Sequence, residues 1–242
     1  MKILQDVLIL LLVYFPPLAI SIVGLRKREV NIFLLGVLSI IYVGITLFTG
    51  TQNLIPFLFV LLNIRLMRTN KENVGIMGSD SYYEFGFSIK KFKFLEGLKY
   101  SGISYAITFA LSLVLSILIY ILKIDLKQQQ IITELMNVPL NKFIFMVPMM
   151  VIFAPILEEY IFRWLLFEKI ISKRIGIISG AIVSSMIFAL VHFNIRSFII
   201  IFALGLINCY LIEKKGYWYA VFNHSIFNSV TVIAMLLQKT IG

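Results

Sequence analysis

The sequence predicts an all-α fold, a polytopic membrane bundle of about eight transmembrane helices. Three observations carry this reading. Apolar runs close to 20 residues long recur along the chain, the length a helix needs to cross a bilayer. The composition is 60% hydrophobic and only 14% charged, with a mean hydropathy of +0.96, far from that of a soluble domain. The basic residues fall between the apolar runs, as topology-setting loops require. A transmembrane barrel would need ten-residue segments of alternating polarity, and none is present. The lone Cys209 lies in an apolar run, so no disulfide framework is possible. The net charge of +10 could point to nucleic acid, but its distribution between spans argues for membrane topology.

The first span covers Ile3–Leu25, and Pro16-Pro17 should kink it mid-membrane. No small-residue cleavage site follows this run, so it reads as a retained helix. Val30–Phe48 forms the second span, and the short loop Thr49–Asn53 leads to a third, Leu54–Met67. Thr69–Leu98 is the longest non-spanning stretch. In it Lys90, Lys91 and Lys93 interleave with Phe92 and Phe94. Such a patch fits either a lipid headgroup surface or a plain cytoplasmic loop. The fourth span is Tyr100–Leu122, followed by a polar connection, Asp125–Lys142. The last four spans are Phe143–Phe167, Ile175–Phe193, Phe198–Ile212 and Tyr217–Leu237. Small residues in the sixth (Gly176, Gly180, Ala181, Ser184, Ser185) allow close helix contact. The chain divides into N-terminal helices and loop, 1–142, and a motif-bearing core, 143–242. Of the 22 Lys and Arg residues, 15 lie on the side of the loops that follow odd-numbered spans, which places those loops in the cytoplasm.

The fifth span carries Glu158, Glu159 and Arg163 in an otherwise apolar setting. A charge at bilayer depth costs at least ~2.5–3.5 kcal/mol on insertion scales, which marks such residues as functional candidates. On a helix Glu159 and Arg163 are i,i+4 neighbours and can pair, while Glu158 points about 100° away. A purely structural ion pair with a snorkelling glutamate is the competing account. Both histidines of the chain also lie in spans. His192 follows Phe188 by four residues, and His224 precedes Asn228 by four, so His224 and Asn228 share a helix face. A lone membrane histidine is usually a satisfied core residue. Two histidines with an acidic pair and an asparagine supply a base, a polariser and hydrogen-bond donors in a low-dielectric site.

Glu158-Glu159-x-x-x-Arg163, Phe188-x-x-x-His192 and His224-x-x-x-Asn228 follow one another on separate membrane helices. This ordered set resembles the CAAX-protease and bacteriocin-processing family of intramembrane endopeptidases. The resemblance covers about 143–237, and every motif position matches; the first four spans carry no motif. It implies an endopeptidase acting on a peptide or lipidated protein substrate among membrane lipids, in CAAX-type processing, peptide maturation or bacteriocin self-immunity. No nucleic-acid partner is implied, and the expected location is a bacterial plasma membrane. Combined with the spacing, it implies that Glu158 activates a water with help from His192. His224 and Asn228 then donate to the developing oxyanion. Arg163 holds Glu159 in a supporting role, and Phe188 packs one turn from His192. No cofactor is favoured. A zinc site of Glu158, His192 and His224 is the alternative, although the signature His-Glu-x-x-His is absent.

Two other readings compete. One is a non-catalytic membrane immunity or signalling scaffold with the same fold. The other is a transporter with helices interrupted at Pro148 and Pro155, which the absence of an inverted repeat disfavours. Straight helices also raise a conflict. His192 would lie about 25 Å up the sixth span and His224 only about 10 Å up the eighth, at ~1.5 Å per residue. One helix must start deep, tilt or shift for the two to meet.

Overall fold

The computed structural model describes residues 2–48, 53–69, 87–124 and 130–241. Most of the loop expected at 49–53, the polar segment 70–86 and Gln128-Gln129 lie outside them. The helices are α1 (Gln5–Arg26), α2 (Ile32–Phe48), α3 (Leu54–Thr69), α4 (Phe94–Ile121), α5 (Gln130–Asn137), α6 (Leu140–Ile175), α7 (Ile177–Leu190), α8 (Ile195–Lys214) and α9 (Tyr217–Ile241). Five of these, α1, α4, α6, α8 and α9, are long and apolar enough to cross a membrane, and α2, α3 and α7 are shorter apolar helices. Large apolar side chains such as Phe109, Leu113 and Ile117 cover the outer face of α4. The buried face of α4 is instead small and polar, with Gly97, Ser101, Ser104 and Thr108. That inversion is what a lipid solvent selects. The chain is an integral membrane protein.

Several boundaries differ from expectation. α4 begins at Phe94, six residues earlier than Tyr100, because its first turn is anchored from α9. Tyr219 accepts a hydrogen bond from Lys93 N at 3.0 Å and donates to Glu96 Oε2 at 2.9 Å. Lys215 Nζ donates to the other Glu96 oxygen. That hydrogen bond pushes the Lys215 ammonium up from its ordinary value. The polar connection holds a helix, α5, whose last carbonyls are capped by Lys239 Nζ, bonded to Met136 O and Val138 O at 2.7 and 2.6 Å. α6 runs past Phe167 to Ile175, because Lys169 and Glu168 neutralise one another at 2.6 Å inside the bundle.

The helices that carry prolines in their interior, α1 and α6, are widened and remain continuous, whereas Pro56 lies in the first turn of α3. Proline lacks an N–H and cannot bond the carbonyl one turn back, so the ladder re-spaces into wide, π-type turns. These occur at Leu10–Tyr14 before Pro16-Pro17, at Met149–Phe153 after Pro148, and again over Glu159–Ile171. In α6 three carbonyls are taken up by side chains of other helices. Asn228 Nδ2 donates to Met150 O at 2.9 Å, Tyr217 OH to Ile156 O at 2.6 Å and Ser184 Oγ to Phe162 O at 2.6 Å. Irregular backbone at membrane depth requires such partners.

α6 stops at Gly176, whose φ of +84° favours glycine, and α7 turns straight back. α7 and α8 then pack closely. A Cβ on Gly205 would lie 2.8 Å from Ser185 Cβ, so only glycine permits this approach. One apolar core joins the halves of the chain, drawing Val13 from α1, Phe57 and Val60 from α3 and Leu157 and Tyr160 from α6. Phe57 stacks on Phe153 at 4.4 Å. Phe87 wedges between Trp164 and Tyr217, at 5.3 and 4.9 Å, and its carbonyl accepts from Trp218 Nε1.

Candidate active site

The polar residues of α6, α8 and α9 meet at one buried carboxylate. Arg163 Nε lies 3.1 Å from Glu159 Oε2, and both side chains are fully buried. The i,i+4 pairing read from the sequence is present. Glu159 Oε1 accepts from Asn208 Nδ2 at 2.9 Å and faces His224 Nδ1 at 2.7 Å. Asn223 Nδ2 donates in turn to Asn208 Oδ1 at 2.7 Å. Glu158 points elsewhere, as its helical offset requires. Its Oε2 stands 3.7 Å from His224 Nε2, and its side chain keeps 23% of its exposure, against 4% for His224. The imidazole of His224 therefore bridges the two glutamates.

The tautomer follows from the partners. An ionised carboxylate only accepts, so His224 Nδ1 must carry a proton toward Glu159. Its Nε2 then faces Glu158 and the accessible side of the site.

His192 does not lie inside a helix. α7 ends at Leu190, and His192 sits in the turn before Asn194, with Phe193 in the left-handed region at φ +49°. Asn194 closes the turn by accepting from Ser197 N at 2.9 Å. His192 Nδ1 bonds Phe188 O at 2.8 Å, which leaves its Nε2 as the free ring nitrogen. A carbonyl only accepts, so this Nδ1 is also the donor.

Phe188 is where the geometric conflict resolves. Its ring lies 4.9 Å from His192 and 5.8 Å from His224, edge-on to both. The guanidinium of Arg163 rests 4.0 Å above its face. With both rings against Phe188, His192 and His224 stand at one level although α7 is 14 residues long. Phe188 packs, as expected, at the centre of the three motifs.

Asn228 reaches α6 beside His224, with one amide hydrogen committed to Met150 O. Its second amide hydrogen remains for another acceptor. Among the described residues no three His, Cys, Asp or Glu side chains are arranged to hold a metal ion. Motif reading missed Asn208 and Asn223. The signal available for them was a polar amide inside an apolar span, which in a membrane requires a partner.

Residues 140–230 match the family model described as Type II CAAX prenyl endopeptidase Rce1-like. Through these residues the chain is similar to the CAAX-protease and bacteriocin-processing family. A Bacillus subtilis (strain 168) protein carrying the name "Putative membrane peptidase YdiL" is 34% identical over 95 residues, 37% of this chain and 38% of its own length. No solved structure matches the chain. The CAAX-protease match holds every motif residue from Glu158 to Asn228 and leaves α1 to α4 unmatched.

Proposed function

We propose that the protein is an intramembrane endopeptidase whose water-activating group is Glu158. The observation that carries this is His224 suspended between a buried, arginine-paired Glu159 and a partly exposed Glu158. Glu158 keeps 23% of its exposure and Glu159 none, so Glu158 is the carboxylate open to a water and available as a base. Glu158 takes a proton from a water, aided by the free Nε2 of His192. The hydroxide attacks the scissile carbonyl carbon. The resulting oxyanion accepts a hydrogen bond from His224 Nε2–H when the ring carries both protons. The second amide hydrogen of Asn228 adds a donor. Collapse of the intermediate expels the amine, which takes the proton held by Glu158. A donor of this kind is worth roughly 10²–10³ in rate.

The substrate is a peptide or a lipidated, membrane-associated protein. In a cell without prenylation, a leader or membrane-anchored peptide replaces the prenylated one. The test is twofold. Full-length protein in lipid nanodiscs is assayed with a quenched farnesylated reporter peptide and an unmodified leader-like peptide. In parallel, the membrane peptidomes of cells carrying parent and Glu158→Gln are compared. Cleavage by Glu158→Gln and His224→Ala at the parent rate would sink the proposal. Prolonged chelator treatment is expected to leave the rate unchanged.

A scaffold reading draws on one observation, the commitment of an Asn228 donor to the α6 backbone. Rescue of a null strain by Glu158→Gln would favour it.

A further inference from the structure

We propose that Asn208 is a positioning residue for the catalytic histidine: it clamps the shared oxygen of Glu159 so that His224 is held in its working orientation. This rests on the endopeptidase reading above. Asn208 belongs to no motif, lies on α8 and is fully buried. It is brought to the site by the close approach of α7 and α8 at Gly205, almost one turn earlier on α8.

The direction of every hydrogen bond in the chain is determined. Glu159 is paired with Arg163 and accepts only. Asn208 must therefore turn its Nδ2 toward Glu159 Oε1 and its Oδ1 away. The outward Oδ1 requires a donor, and Asn223 Nδ2 supplies it at 2.7 Å. Asn223 immediately precedes His224 on α9, so the loop closes on itself: α9 to α8 through Asn223, α8 to α6 through Asn208, and α6 back to α9 through Glu159 and His224. A carboxylate on a flexible side chain has a torsional freedom that Arg163, holding only Oε2, does not remove. Asn208 removes it by holding Oε1, the oxygen that His224 uses.

The chain has two histidines, so ¹⁵N-histidine labelling of the full-length protein in nanodiscs reports both rings with no background. His192→Gln assigns the signals. Asn208→Leu preserves bulk and deletes both hydrogen bonds. Its expected effect is to shift or broaden the hydrogen-bonded Nδ1–H signal of His224 while leaving the His192 signals in place. With the farnesylated reporter, kcat should fall about 10- to 100-fold with KM unchanged, the scale typical of partners that orient a ligand or catalytic group. Asn208→Gln, which keeps the donor, should recover part of the rate. In a Glu159→Ala background, Asn208→Leu should cost nothing further, because the clamp has lost its object.

Asn223→Leu is the milder variant if Asn208→Leu does not fold, and it should shift the His224 signal in the same direction by less. His224 signals identical to the parent in Asn208→Leu, while Glu159→Gln displaces them, would overturn the proposal. So would equal losses of rate in the Glu159→Ala and parent backgrounds. The spectral readout needs no turnover. Unimpaired cleavage by Glu158→Gln would therefore remove the endopeptidase reading and leave the clamp standing.

Discussion

Two buried asparagines, Asn63 on α3 and Asn208 on α8, do the same physical job with opposite consequences. Asn63 accepts from Ser21 Oγ at 2.7 Å and donates to Pro17 O at 2.9 Å, which closes a neutral network beside a proline-widened helix. Asn208 also accepts from one side chain and donates to another group, but its acceptor is a carboxylate. In the N-terminal half the polar atoms satisfy backbone that proline disturbed. In the C-terminal half they orient a charge that faces an imidazole. Membrane burial makes both networks obligatory, and only the presence of ionisable partners turns the second into a site.

The largest expected break of this comparison is Glu158→Gln. It should lower the cleavage rate by about 10²- to 10⁴-fold, the range of general-base catalysis, with thermal stability in detergent unchanged. Arg163→Met comes next and should act on folding. It leaves the Glu159 carboxylate buried and without its cation, at a cost of about 3–5 kcal/mol in a denaturant titration. Gly205→Ala would force a methyl group against Ser185. A loss of about 1–3 kcal/mol in unfolding free energy is expected, with a lowered rate because α8 carries Asn208 away from Glu159. Asn63→Leu is the smallest of the four. It should cost on the order of 1 kcal/mol and leave kcat at the parent value, since its partners Ser21 and Pro17 lie on α1. If Asn63→Leu lowered kcat as Asn208→Leu does, the contrast between the two halves would fail.

Much of the architecture was legible because lipid imposes simple rules. Apolar length marks the helices, and the i,i+4 spacing pairs Glu159 with Arg163, as the structure does at 3.1 Å. Helix ends were less legible. Pro148 and Pro155 fall inside the span read as Phe143–Phe167, and what the sequence left hidden is that α6 passes them in wide turns, with Asn228, Tyr217 and Ser184 bonding its carbonyls. Those donors lie 22 to 78 residues away in sequence, beyond any local pattern. His192 read as helical because its neighbours are apolar, while the turn that presents it depends on the cap at Asn194. Glu168 and Lys169 read as the polar end of a span, although their mutual neutralisation lets α6 continue.

By itself the sequence determined the membrane class, the residues able to do chemistry and the offset that separates Glu158 from Glu159, all consequences of hydropathy and helical period. Only the tertiary structure decided which oxygen holds His224, that Asn208 and Asn223 belong to the site, and that two histidines at different predicted depths meet at Phe188. Spacing within one helix is set by covalent geometry. Contact between helices depends on where each one stops, and here that rests on Gly176, on the turn at His192 and on the close approach at Gly205.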